Sequence, residues 1–189
     1  KITIFENIIK QHIMKKLLLL LLTTFALSCC NKDDDKPIAE IDKLPPATQT
    51  GANTVGCLLD GKAFLPGNFP NSTNCFYQFV NGEYYFALAL SKRDVDNNII
   101  GIDVGTNAKQ IFQNETYELI EFAPNNASAA YIYGTFENST NNIHKGELTI
   151  TKLDEINNIV SGTFWFDVQD TFGVIHQIRE GRFDMQYTN

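Results

Sequence analysis

The single tryptophan of the chain, Trp165, stands among residue types that bind sugars. It lies in the run Ile159–Gln169, where apolar and polar side chains alternate, and this alternation predicts a strand with one buried face. Phe164 and Phe166 then point into the core, and Trp165 points the other way. An exposed aromatic ring stacks on a sugar ring while neighbouring hydroxyls and carboxylates bind its hydroxyls. The candidate ligand-binding residues are Trp165, Thr163 and Asp167, with Glu147 from the preceding strand. Alternatively, a second sheet or loop covers this face and Trp165 only packs there.

Two adjacent cysteines follow an apolar run near the start of the chain. Lys15 and Lys16 precede about eleven residues that begin with six leucines. This run is too short to span a hydrocarbon core of about 30 Å and is typical of a signal peptide. The sequence Leu27-Ser28-Cys29-Cys30 that follows resembles the lipobox of bacterial lipoproteins. The resemblance implies acylation of Cys29, with Cys30 as the alternative, whereas the other interpretation is a transmembrane anchor.

The segments on either side of this signal complete the prediction of location. We interpret residues 1–13 either as sequence upstream of the start at Met14, from an over-extended reading frame, or as a dispensable leader. The spacer Asn31–Lys36, a Lys followed by acidic residues, resembles the signal that sends lipoproteins of the Bacteroidota to the outer face of the outer membrane. A periplasm-facing position is the alternative. Two or three acyl chains would hold the protein permanently at the membrane.

Charge excludes one class of partner. Residues 1–28 carry four of the 15 bases and one of the 22 acids, so the chain after residue 28 has 11 bases, 21 acids and a net charge of −10. Such a chain repels nucleic-acid phosphate. We therefore expect no nucleic-acid partner, and attachment to a membrane only through the lipid.

The remaining cysteines and histidines offer little chemistry. Cys57 and Cys75 either form a disulfide, as an oxidising compartment allows, or are two small buried apolar side chains. His144 and His176 have no partner at metal-ligand spacing. The sequence therefore predicts no metal and no cofactor.

Short apolar runs separated by turn residues predict an all-β domain. Asp60-Gly61 and Asn81-Gly82 lie between such runs and are typical of two-residue hairpin turns. About ten strands at this spacing predict an antiparallel β-sandwich or barrel, jelly-roll-like or lipocalin-like. The predicted strands are Val55–Leu59, Lys62–Leu65, Cys75–Val80, Glu83–Leu90, Ile99–Val104, Tyr117–Phe122, Ala130–Phe136, Gly146–Leu153, Ile159–Val168 and Val174–Tyr187.

The last third of the chain predicts a register. If the apolar faces of Lys145–Leu153 and Ile159–Gln169 are in phase, Leu148 lies opposite Phe164 and Ile150 lies opposite Gly162. The final strand changes its apolar phase near Glu180-Gly181, which predicts a bulge there. Glu180, Arg182 and Asp184 alternate onto one face, which we interpret as a solvated row of ion pairs, with a polar ligand site as the alternative.

Three segments of the chain are thus expected. Residues 1–28 are upstream sequence and signal peptide, and residues 29–53 are the lipidated cysteine and a flexible tether. Residues 54–189 are the single β domain.

Three stretches of sequence resemble a family of small Bacteroidota lipoproteins known only as a domain of unknown function. They are the residues from Leu44 to Thr54 with Gly56-Cys57, then Gly61-Lys62-Ala63-Phe64, and finally Ser161-Gly162-Thr163-Phe164 with Glu180-Gly181-Arg182-Phe183-Asp184. The resemblance implies a shared fold and shared export. It implies no catalytic residue.

These patterns together predict a lipid-anchored outer-membrane protein, exposed at the cell surface. Its β domain is expected to be a non-catalytic binding or accessory module for a glycan or a protein ligand. The alternatives are an extracellular hydrolase and a structural envelope protein without a small ligand.

Overall fold

The structure is a computed structural model that describes residues 14–16 and 37–189. Residues 14–16 are helical. The six-leucine run and the lipidation candidates Cys29 and Cys30 lie outside the described residues. Among the described residues, no helix is long and apolar enough to cross a membrane.

Apart from a single 3-10 turn at Glu40–Lys43, the regular structure of the compact unit is all strand. The all-β prediction is therefore confirmed. The strands are β1 (Thr54–Leu59), β2 (Lys62–Phe64), β3 (Thr73–Val80), β4 (Glu83–Arg93), β5 (Ile99–Asn107), β6 (Glu115–Leu119), β7 (Asn126–Tyr133), β8 (Phe136–Ser139), β9 (Gly146–Asp154), β10 (Ile159–Gln169) and β11 (Ile175–Gln186).

All eleven strands belong to one sheet in the order β2-β1-β11-β10-β9-β6-β7-β5-β4-β3, with β8 paired to β7. Neighbours are antiparallel except β6 and β7, which pair in parallel at Leu119 and Ala127. One isolated bridge, Phe76 to Thr188, links β3 to the residues after β11. A single bridge is not a continuous ladder, so the sheet is sandwich-like and not closed into a barrel.

The core lies between halves of the sheet that fold over one another. Phe86 on β4 packs on Phe183 of β11 at a ring distance of 6.1 Å, although six positions separate these strands in the sheet order. Tyr77 of β3 contacts Tyr187, just after β11, at 5.8 Å. Burial of these apolar faces is the main stabilising contribution.

The predicted register and turns are confirmed. Leu148 lies opposite Phe164, and Ile150 lies opposite Gly162. Both residues of Asp60-Gly61 and both residues of Asn81-Gly82 have positive φ. This conformation is that of the type I′ turn, whose twist matches the strands it joins.

The predicted bulge in β11 is also confirmed. Phe164 faces Gly181 and Phe166 faces Ile178, so β11 uses three residues where β10 uses two. The same extra residue appears in the pairing with β1. Glu180 has a φ of 54°, a left-handed conformation that costs a non-glycine residue about 1–2 kcal/mol.

The strand predicted at Ala130–Phe136 is instead two strands. Gly134, with a φ of 62°, turns the chain between β7 and β8, and Tyr133 pairs directly with Phe136. The apolar residues on both sides of this turn concealed the break. The sheet therefore has one strand more than the sequence predicted.

The compact unit begins at Ala39 and so includes residues that we predicted as part of the tether. Leu44 is buried. The backbone N–H of Ala63 on β2 donates to Glu40 Oε2 at 2.8 Å. The segment from Ala39 to Asn53 is therefore packed on the β domain.

The carboxylate of Asp184, on β11, holds this segment in place. It is fully buried, so the predicted solvated row of ion pairs is wrong at this residue. Burial favours the neutral acid, but the hydrogen bonds outweigh it and keep the pKa of Asp184 well below its usual range. The donors are Thr48 Oγ1 (2.6 Å), Thr50 N (2.9 Å) and Oγ1 (3.2 Å), Gly51 N (2.7 Å), Ala52 N (3.2 Å) and Ser161 Oγ (2.8 Å).

Replacing this carboxylate should destabilise the domain. Asp184→Asn presents an amide N–H₂ to groups that are all donors, and we expect the free energy of unfolding to fall by about 2–4 kcal/mol. A depressed pKa contributes stability above the unfolded value of about 3.9, and this stability is lost as the pH falls below it. Denaturant unfolding from neutral to acidic pH measures both effects.

Asp96→Asn is the matched control, because Asp96 is exposed in the loop between β4 and β5. We expect it to leave the unfolding midpoint and its acid dependence unchanged. Equal stability of the two variants would contradict the role of Asp184.

Candidate functional site

Strand β10 presents Trp165 to the outside of the domain, as the sequence predicted. Phe164 and Phe166 are buried, whereas Thr163 is exposed and 38% of Trp165 is accessible. The alternative, in which a second sheet or loop covers this face, therefore does not hold. The indole ring is half-open to solvent.

Glu147 on β9 lies directly opposite Trp165. The indole Nε1–H donates to Glu147 Oε2 over 3.1 Å. Such a cross-strand contact fixes the side chains relative to each other. The ring is thereby oriented before any ligand arrives.

Arg179 on β11 is the residue that sequence reasoning missed at this site. Its guanidinium carbon lies 5.4 Å from the centre of the Trp165 ring, within the range of a cation–π interaction. Arg179 Nη2 donates to Asp167 Oδ1 at 2.6 Å. Its Nη1 donates to the carbonyl oxygens of Phe166 and Ile178, at 3.0 Å and 2.8 Å.

Trp165, Glu147 and Arg179 line an open groove with a volume of about 560 Å³, the Trp165 groove. Glu180 and Arg182, at the bulge of β11, also line it, and Arg182 Nη2 lies 3.7 Å from Glu180 Oε2. Of the four predicted ligand residues, Trp165, Thr163 and Glu147 line the groove. Asp167 does not, and instead holds Arg179. The remaining lining residues are Ala47, Thr149, Phe164 and Gly181.

The groove combines an aromatic surface with hydrogen-bonding groups of both kinds. Carboxylate and hydroxyl oxygens accept hydrogen bonds, and the two guanidinium groups donate them. The volume is in the range of small-ligand sites. Among the described residues that line it, none is a histidine, cysteine or serine, and Glu147 and Glu180 already contact Trp165 and Arg182. The arrangement is suited to binding a polyhydroxylated ring.

His176 is held by contacts with three other parts of the domain. Its Nδ1 lies 2.8 Å from Asp60 Oδ2 and its Nε2 lies 3.5 Å from Asp170 Oδ2. Its ring packs on Tyr131 at 4.3 Å. The histidine therefore joins the β1–β2 turn, the β10–β11 loop and strand β7.

Cys57 and Cys75 are both free and buried, so they form no disulfide in the structure. Burial raises the pKa of each thiol to about 12. A thiol with so high a pKa is a poor nucleophile and a poor metal ligand. Neither cysteine lines the Trp165 groove.

Comparisons of the chain with family models, with curated proteins and with solved structures found no match. The geometry of the described residues is therefore the basis for a functional proposal.

The strained residue in the wall of the groove gives a testable prediction. Glu180→Gly removes the side chain that the left-handed conformation disfavours, and we expect the free energy of unfolding to rise by about 1 kcal/mol. Thermal or denaturant unfolding measures this gain.

Asn158→Gly is the control, since Asn158 has the same φ of 54° but asparagine tolerates it. A gain at position 180 no larger than that at position 158 would mean that the bulge stores no strain.

Proposed function

We propose that this protein is a lipid-anchored, exported protein whose β domain is a non-catalytic glycan-binding module. The observation that carries the binding role is the half-exposed Trp165, held in a groove by Glu147 and Arg179. The lipobox-like sequence at Cys29, with Cys30 as the alternative, supports lipid attachment. Anchoring at the outer face of the outer membrane would present the groove to extracellular polymers.

A sugar ring fits the chemistry of the groove. Its apolar C–H face would pack on the open part of the indole, and its hydroxyls would bond to Thr163 and to the carboxylates. Arg182 adds a donor that pairs only loosely with Glu180. Because each such contact is weak, affinity would depend on several sugar units along the groove or on several copies of the protein at the membrane.

The hydrolase alternative requires an acid and a base or nucleophile placed around a scissile bond. Glu147 and Glu180 are the two carboxylates that line the groove, and each lies beside a hydrogen-bond donor, Trp165 and Arg182 respectively. These contacts favour binding over catalysis. A structural envelope protein would make no use of an open aromatic groove.

Trp165→Ala should abolish glycan binding without unfolding the domain, because the ring is on the surface and not in the core. Retention on a glycan array measures the loss. The single tryptophan also reports binding directly, since a sugar on the ring changes its fluorescence. Phe172→Ala is the matched control, as Phe172 is an exposed aromatic residue, 81% accessible, outside the groove. Unchanged retention of the Trp165 variant would contradict the glycan proposal, and capture of a protein instead would redirect it.

Lipidation gives a separate prediction. Mass spectrometry of the natural protein should find a chain that begins at an acylated cysteine and lacks the leucine run. We expect Cys29→Ser to prevent acylation and membrane attachment, and Cys30→Ser to leave both intact. The reverse pattern would assign the lipid to Cys30. Retained leucines with no acyl group would contradict the anchor.

A further inference from the structure

A second groove, the outer-face groove, lies on the side of β4, β5 and β7 that faces away from the core. Its floor is made of small residues from three adjacent strands. Ala87 lies opposite Gly105, and Gly105 lies opposite Ser128. Ala89 and Ala130 occupy the next row, on either side of Asp103. Small side chains in the middle of a sheet leave a depression of about 490 Å³.

Aromatic side chains stand around this floor. Phe76 from β3, Tyr85 from β4 and Phe122 from the loop after β6 all line the groove. Phe122 is 71% accessible, although burying a phenylalanine side chain is favourable by about 1.5–3 kcal/mol. Rings in such positions supply apolar and cation-binding surface to a ligand.

The charge of the outer-face groove is entirely negative. Asp103 lies in its floor and Glu137, from β8, at its rim, while none of its lining residues is a lysine or arginine. Among the described residues Asp103 has no side-chain hydrogen bond and no ion-pair partner. Burial and the nearby Glu137 raise its pKa to about 6, so at neutral pH Asp103 is a partly buried negative charge without an ion-pair partner among the described residues.

We propose that the outer-face groove binds a small organic cation, an ammonium or guanidinium group attached to an apolar or aromatic body. The cationic group would pair with Asp103 and Glu137, and the body would lie on the small-residue floor between the aromatic side chains. A desolvated carboxylate gains most from a ligand that brings its own positive charge. This site shares no lining residue with the Trp165 groove and goes beyond the glycan proposal.

Other ligand classes fit this groove less well. An anion would meet two carboxylates and no base. A neutral sugar would leave the charge of Asp103 unpaired, and the lining holds no guanidinium to donate to its hydroxyls, unlike that of the Trp165 groove. Charge complementarity therefore selects the cation.

The test is calorimetric titration of the full-length protein with phenethylamine and with 2-phenylethanol, a probe of almost the same shape without the charge. We expect the amine to bind at least about tenfold more tightly at neutral pH. Asp103→Asn should weaken amine binding at least about tenfold, and Glu137→Gln several-fold. Equal affinity of amine and alcohol would overturn the proposal.

Glu155→Gln is the matched control, because it removes one carboxylate from the β9–β10 loop, outside the groove. It should leave amine binding unchanged. A loss equal to that of Asp103→Asn would show that only the net charge matters, and would overturn the site. Asp103→Asn should also leave glycan retention intact and Trp165→Ala should leave amine binding intact, so the two proposals fail separately.

The pH dependence of amine binding is a further test of the site. The titratable groups that line the groove are Asp103 on β5, Glu137 on β8 and Tyr85 on β4. Amine binding should strengthen between about pH 5 and about pH 7.5 as Asp103 ionises, and pH-independent binding would overturn its role.

A raised carboxyl pKa costs stability as the pH rises through it, so Asp103→Asn should be at least as stable as the wild type at neutral pH. A less stable variant would show that Asp103 is a structural group.

Discussion

The buried carboxylate of Asp184 fixes the segment Thr48–Ala52 on the β domain. Donors from Thr48 to Ala52 and from Ser161 surround it. A buried charge is tolerated only when its hydrogen bonds replace those of water, so this segment of the chain has little freedom to move. Ala47, which precedes it directly, lines the Trp165 groove. The geometry of the groove therefore depends on an interaction outside it.

The sequence analysis succeeded where the signals are local and failed at the contacts of Asp184, which are not. Strands and hairpins were predictable because alternation and the Asp60-Gly61 and Asn81-Gly82 turns are local signals. The segment Thr48–Ala52 is polar and was predicted as tether, because its partner Asp184 lies more than a hundred residues away in the chain. Nothing in the local composition shows that such a segment wraps around a carboxylate.

The candidate site was predictable to the same extent. Trp165, Thr163 and Glu147 were found outside because β9 and β10 pair without interruption between Gly146 and Ile150, the stretch that faces Phe166 to Gly162. Arg179 was missed because it lies at the bulge of β11, where the alternation of inward and outward side chains is interrupted. At such a position the sequence pattern does not show which way a side chain points. Asp167 was assigned to the ligand, whereas it holds Arg179 in place. The outer-face groove gave no signal because its floor is small residues, which resemble ordinary strand positions.

The outer-face groove is a consequence of how closely the strands of the sheet pack at Gly105. A side chain at Gly105 would bring its Cβ to 2.4 Å from the carbonyl oxygen of Phe86, so the backbone there permits only glycine. With Ala87 and Ser128 beside it, the outer surface is left hollow where the inner surface is filled by Phe86 and Val104. The depression does not stabilise the fold, because it leaves the aromatic side chains at its rim exposed and Asp103 partly buried without a partner. A charged, unfilled depression of this kind costs free energy in the isolated domain, and a cationic ligand would recover that cost on binding.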